Sequence, residues 1–292
     1  MAAIDRKTRD EITNLEGVHD LVQTYEEIAA IRMQRVKTSV LNNRDFLSDL
    51  FDIYRQVRFS YQKKLEEEGR DGDDSGFAVI GNGRPVFVLL SANTGLYGDI
   101  IHKTFDLFVK GLESRPVDAD VVVVGRVGQR LFEAVRTNLG ISSYKYFDLP
   151  DSSSDASDFV DIVSYIAEYE KAVVFHGQFE SILVQKPVKE ELSGELSEAE
   201  APAGEAANYI FEPSLERVVG FFESEILASI FEQSLYESSL GKYAARMINL
   251  DRAVVNIERI LEQANQGAQK ARHNDDNKKQ LGTLASMSLW GK

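Results

Sequence analysis

A chain of 292 residues with 43% hydrophobic content is long enough for one or two domains with a sizeable core. Its formal net charge of −14 argues against a nucleic-acid groove and against direct attraction to anionic lipid, but leaves room for docking on a membrane-seated protein. There is no cysteine, so disulfides and thiolate metal sites are excluded. The opening Met1-Ala-Ala-Ile-Asp-Arg-Lys7 lacks an apolar signal core, and no apolar run is long enough to span a bilayer.

In chain order, Ile12 to about Leu65 reads as one proline-free helix. Its apolar positions are Ile12, Leu15, Val18, Val22, Tyr25, Ala29, Val36, Val40, Leu47, Leu50, Tyr54, Val57, Tyr61 and Leu65, mostly three or four apart. A stripe that narrow suits a single partner helix. Glu66 to Gly76 is charged and glycine-rich and reads as a link. Phe77–Ile80 and Pro85–Ser91 read as strands around the hairpin signal Gly81-Asn-Gly83. Val86–Leu90 is apolar without alternation, as a strand buried on both faces should be.

A helix is predicted over Gly98–Leu112, a strand over Asp120–Val124 and a helix over Gln129–Leu139. A short strand is predicted at Tyr144–Phe147. The turn Ser152–Asp158 is expected to cap a helix over Phe159–Tyr169, with further strands at Ala172–His176 and Ser181–Gln185. Strands alternating with helices predict a small, mostly parallel α/β sheet with right-handed crossovers, Rossmann-like, over residues 77–188. Residues 189–207 are rich in Glu, Ala, Ser, Gly and Pro and read as a disordered acidic insert.

From 208 to 292 the pattern is helical again. From Leu240 the apolar or small residues alternate steps of three and four: Leu240, Tyr243, Met247, Leu250, Val254, Ile257, Leu261, Ala264, Ala268 and Ala271. Pro213 suits a first helical turn. At ~1.5 Å per residue, about 75 residues would reach on the order of 110 Å. The terminal segments 1–68 and 208–292 are therefore expected to bury each other as an antiparallel coiled coil, with the α/β domain inserted between them.

Candidate chemistry is sparse. Ser91-Ala-Asn-Thr-Gly-Leu-Tyr-Gly98 follows a strand and opens a helix, where backbone N–H groups can cradle a phosphate. It lacks a P-loop lysine and the dinucleotide glycine spacing, and Gly125-Arg-Val-Gly128 is equally incomplete. Tight turns alone account for these glycines. His19, His102, His176 and His273 show no metal spacing and read as surface residues, and Asp71–Asp74 lacks the rest of a calcium loop. No catalytic residue, cofactor or metal is predicted.

Two stretches carry a family resemblance. Asn208-Tyr-Ile-Phe-Glu-Pro-Ser214, followed by Tyr243-Ala-Ala-Arg-Met247, Ala253 and Asn256, resembles the C-terminal segment of the gamma subunit of F-type ATP synthase. Leu89–Asp99 is similar to that family's strand-to-helix turn. The resemblance implies a central rotor shaft that couples ion flow to conformational change in a catalytic ring. Implied partners are alpha- and beta-like ring subunits, an epsilon-like subunit and a membrane rotor ring, at the cytoplasmic face of a membrane. The shaft itself would supply no catalytic group.

Departures cluster at the expected tip. Gln23-Thr-Tyr-Glu-Glu27 stands where the family has a basic, methionine-rich run. Ala271-Arg272 is kept, but His273-Asn-Asp-Asp-Asn-Lys-Lys279 follows in place of an apolar turn, and Gly241-Lys242 replaces Ser-Glu. The resemblance makes Glu26, Glu27, Arg246, Met247, Arg272, Lys278 and Lys279 candidates for partner contact. Glu26 and Glu27 are expected near the last third of the C-terminal helix, opposite Asp275, Asp276, Lys278 and Lys279. The alternative is a non-rotary scaffold on the same fold.

Overall fold

The computed structural model describes residues 2–67, 82–151, 153, 156–169, 171–193, 212 and 214–290. The element order is α1 (Ala2–Glu67), β1 (Pro85–Leu90), α2 (Ile100–Glu113), β2 (Asp120–Val124), α3 (Arg126–Val135) and β3 (Lys145–Phe147). A 3-10 turn (Ala156–Asp158), α4 (Val160–Ile166), β4 (Lys171–Phe179), β5 (Gln185–Ser193) and α5 (Leu215–Trp290) follow. The chain divides into two compact units, residues 30–246 and residues 1–29 with 247–292.

The larger unit is built on a five-stranded sheet in the order β3-β2-β1-β4-β5. The first four strands are parallel, and β5 returns antiparallel along β4. Alternate residues of each strand serve opposite faces. Val86, Val88, Leu90, Val122, Val124 and Val174 pack with α4, with Val36 and Val40 of α1, and with Leu227, Phe231, Leu235 and Leu240 of α5. Phe87, Leu89, Val121, Val123, Val173 and Phe175 face Phe105, Phe108 and Leu112 of α2 and Phe132 of α3. Double burial is why these strands are apolar without alternation. The part of α5 between Ile226 and Ala245 is buried almost all round. Its serines, alanines and Gly241 keep the helix slim enough for sheet and α1 to close on it.

α1 packs on α5 here too. Leu50, Tyr54 and Ile226 form an apolar cluster, and Asn43 Nδ2 donates to the Ser229 carbonyl at 3.1 Å and to Gln233 Oε1 at 3.0 Å.

The smaller unit is an antiparallel helix pair. His19 Nε2 lies 3.5 Å from Glu258 Oε1, and Glu26 feels the Asp251 carboxylate. On α1 the half-buried positions are Ile12, Leu15, His19, Val22 and Glu26, leading to buried Ala29. On α5 they are Met247, Val254, Ile257, Leu261, Ala264 and Ala268, with Leu250 buried. Both sets step by three and four, the period of a coiled-coil seam.

Several expectations are corrected. Val18 and Tyr25 are 47% and 48% exposed, and His19 and Glu26 take their seam positions one residue later. Ala271 is exposed, so the apolar part of the α5 seam ends at Ala268, while Asp275 one heptad on is again half-buried. Glu26 faces Asp251 and not residues 275–279. Ser181–Gln185 is no strand but a turn, closed by the Val184 N–H on the Ser181 carbonyl at 3.2 Å; the strand is Gln185–Ser193. It takes residues 189–193 out of the expected insert, because Val188 and Leu192 alternate inward while the charged residues between meet solvent or polar partners. α4 has no side-chain cap; the 3-10 turn leads into it instead. Residues 194–207, Phe77–Ile80, Asp71–Asp74 and Pro213 lie outside the described residues.

Candidate functional site

In open α/β sheets, ligands bind at the carboxyl ends of the strands where strand order reverses. Here that point lies beside β1, which has β2 on one side and β4 on the other. Two turns shape it. Gly125 takes φ +95° between β2 and α3, where a Cβ would stand 2.9 Å from the Ala92 backbone. Leu96 holds φ +71°, unusual for a branched side chain, in the turn from β1 to α2.

The amides that could cradle a phosphate are already taken. The Asp151 carboxylate accepts from Asn93 N at 3.0 Å, Thr94 N at 2.8 Å and Thr94 Oγ1 at 2.7 Å. Asn93 is fixed in turn, its side chain donating to Asp148 and accepting from the Arg126 amide at 2.8 Å. The chain's own carboxylate fills the anion cradle.

α5 closes the site from above. Lys242 Nζ donates to the Ser91 carbonyl at 3.0 Å and lies 3.7 Å from Asp151 Oδ1. The two side chains are 11% and 7% exposed. Burial pushes the Lys242 ammonium down from its ordinary range, opposed by Asp151. Burial would raise the Asp151 carboxyl, but Lys242 and the bonds from Asn93 and Thr94 outweigh it and hold it below the usual range. Tyr243 donates its hydroxyl to the Asp151 carbonyl. Arg246 donates to Thr94 Oγ1 at 2.6 Å and to the Gly95 carbonyl at 2.7 Å, and stacks 4.1 Å over the Tyr97 ring. Burial, then Asp151, raises the Tyr97 hydroxyl.

A second polar layer joins α5 to the sheet. Ser234 Oγ donates to Glu190 Oε2 at 2.7 Å, and His176 Nε2 lies 3.2 Å from the same oxygen. His176 is 1% exposed, correcting its reading as a surface residue. Burial opposes the Glu190 charge, but the bonds from His176 and Ser234 hold its carboxyl low. Glu237 accepts from Arg44 at 2.6 Å and from Gln178 at 3.3 Å. In these two layers most charged groups meet a partner on another element, which binds the elements together, while Ser91 Oγ, His176 Nδ1 and Arg246 Nε are buried without a hydrogen-bond partner.

Of the sequence candidates, Arg246 turns inward to this network. Met247 and Glu26 are half-buried in the seam, while Glu27, Arg272, Lys278 and Lys279 are exposed. Lys279 Nζ lies 3.4 Å from Asp276 on its own helix. Asp151 and Lys242 escaped the sequence reading, although Lys242 was marked as a departure from the family pattern. Both departures at that point are used. A Cβ on Gly241 would stand 2.7 Å from the Gly177 carbonyl oxygen, so glycine lets α5 reach β4, and Lys242 answers Asp151.

A mixed α/β sheet inserted in the sequence between two long helices, with Asp151 seated on the amides of the turn after β1, defines the fold class. The family profile described as ATP synthase matches residues 5–275. Among curated relatives, the ATP synthase gamma chain of Pelotomaculum thermopropionicum is 23% identical over 91% of this chain and 92% of its own length. That of Frankia casuarinae is 25% identical over 93% of both. Among solved structures, a chain of the Euglena gracilis mitochondrial ATP synthase OSCP/F1/c-ring assembly superposes with a TM-score of 0.57 at 14% identity, covering 99% of this chain and 95% of that one. A chain of the same organism's ATP synthase rotor gives 0.54 at 12%, covering 94% and 99%. The chain belongs to the ATP synthase gamma family.

Proposed function

We propose that this chain is the central rotor shaft of an F-type ATP synthase, coupling rotation of a membrane ring to conformational change in a ring of nucleotide-binding subunits. The family match over residues 5–275 carries this reading. The antiparallel seam in residues 12–29 and 247–268 supports it. A helix pair without symmetry presents a different surface to each subunit of a surrounding ring. Differential contact of that kind biases each site toward a different conformation, which coupling requires.

The partners of this reading are alpha- and beta-like ring subunits, an epsilon-like subunit and the membrane rotor ring. The chain would sit peripherally, at the cytoplasmic face. No helix among the described residues is long and apolar enough to cross a membrane. The helix pair would engage the ring through exposed residues at two levels, Glu27 near Asp251 and, farther along α5, Arg272, Lys278 and Lys279. The test is purification at native level with identification of co-purifying chains. P-loop ring subunits in stoichiometric amount are expected; a different set of partners would favour a scaffold.

A further inference from the structure

The lock at the carboxyl edge joins three stretches far apart in sequence: the loop after β1, Asp151 beyond β3, and one turn of α5. Its bonds are directional. If α5 slid by a residue or rolled against the sheet, Lys242 would leave both the Ser91 carbonyl and Asp151. Two nearly buried charges would then face each other's absence, a costly arrangement. Apolar contacts around it, such as Leu240 and Tyr243 against the sheet core, change far less with a small slide. Gly241 holds the backbones in direct contact one residue earlier. Arg246 then pins the next turn to Thr94 and Gly95.

We propose that Lys242 and Asp151 form a mechanical lock that helps α5 and the sheet turn as one body. This rests on the reading of the chain as a rotor shaft. Torque that enters the sheet domain reaches α5 in part through this ion pair, beside the Ser234–Glu190 and Gln178–Glu237 bonds. Lys242 and Asp151 act as positioning residues, through the seat of α5 on the sheet.

The experiment uses the full chain, alone and reconstituted with its ring and membrane sector in vesicles. Lys242→Met and Asp151→Asn are made singly and together; the isosteric Asp151→Asn keeps the test open should Lys242→Met fail to fold. In the isolated chain each single variant is expected to speed amide exchange at residues 242–246 by at least about tenfold. In vesicles each is expected to lower ion transport per ATP hydrolysed. The double variant leaves no buried charge unpaired, so its exchange should return toward wild type while transport per ATP stays low. Single variants that transport ions like wild type would overturn the lock. So would a double variant that recovers transport along with protection, since the pair would then be structural only. A wild-type chain that assembles but supports no transport would overturn the shaft reading instead, and the exchange data would still decide whether the joint exists.

Discussion

Gly241 and Gly177 meet backbone to backbone: a Cβ on Gly241 would stand 2.7 Å from the Gly177 carbonyl oxygen. Neither backbone can yield without moving α5 or β4. Gly241→Ala is therefore expected to destabilise the larger unit by about 1–3 kcal/mol. Gly267, exposed on the same helix, has nothing within 4 Å of a built Cβ. Gly267→Ala should stabilise its helix by about 0.5–1 kcal/mol. Urea unfolding of the two variants checks the contrast; equal shifts would refute the close approach.

Lys242→Met alone should cost roughly 3–5 kcal/mol, because it leaves the Asp151 carboxylate buried without its cation. Adding Asp151→Asn should recover part of that loss. The denaturation midpoints of the four proteins form a double-mutant cycle, and additive effects would mean that the ion pair carries no energy.

The lowered carboxylates of the larger unit and Glu26 of the smaller one should answer acid with opposite signs. Asp151, Glu190 and Glu237 are held below their ordinary 3.8 and 4.5 values despite burial, by Lys242, by His176 and Ser234, and by Arg44 and glutamine bonds respectively. Each of these three carboxylates thus binds fewer protons folded than unfolded, and the stability it contributes is lost as pH drops below its ordinary value, whereas Glu232, raised by burial and then Glu225, works the other way. Glu26 is raised above 4.5 by burial, then by Asp251 and Glu27. Its charge destabilises the helix pair at neutral pH, and that penalty lifts as pH falls through its raised value. Amide exchange between pH 7 and 5 should show the ends of α1 and α5 gaining protection while β1 and β4 stay level. Glu26→Gln should give the gain at pH 7 and abolish the response.

The long helices and β1, β2 and β4 were legible because burial leaves a periodic or continuous apolar trace. β5 was not: Lys186-Pro-Val-Lys-Glu-Glu191 is an edge strand whose charged residues hide its two inward apolar ones. The seam of α1 was read one residue off in two places, because Val18 and Tyr25 are more apolar than the His19 and Glu26 that occupy it. Apolarity names the usual occupant of a seam, whereas register against α5 decides the actual one. The lock was invisible for a different reason. Asp151 and Lys242 stand 91 residues apart, and only the folded sheet brings the loop after β3 under α5. The one trace was Lys242 itself, a charge where the helix is otherwise buried.

The rotor reading is tested most directly by watching the chain turn. It has no cysteine, so Leu183→Cys, on a side chain 79% exposed at the β4–β5 turn, gives a single labelling point. With the ring subunits fixed to a surface and a bead on residue 183, addition of ATP is predicted to drive continuous rotation in one direction. A ring that hydrolyses ATP while the bead only fluctuates in place would contradict the account.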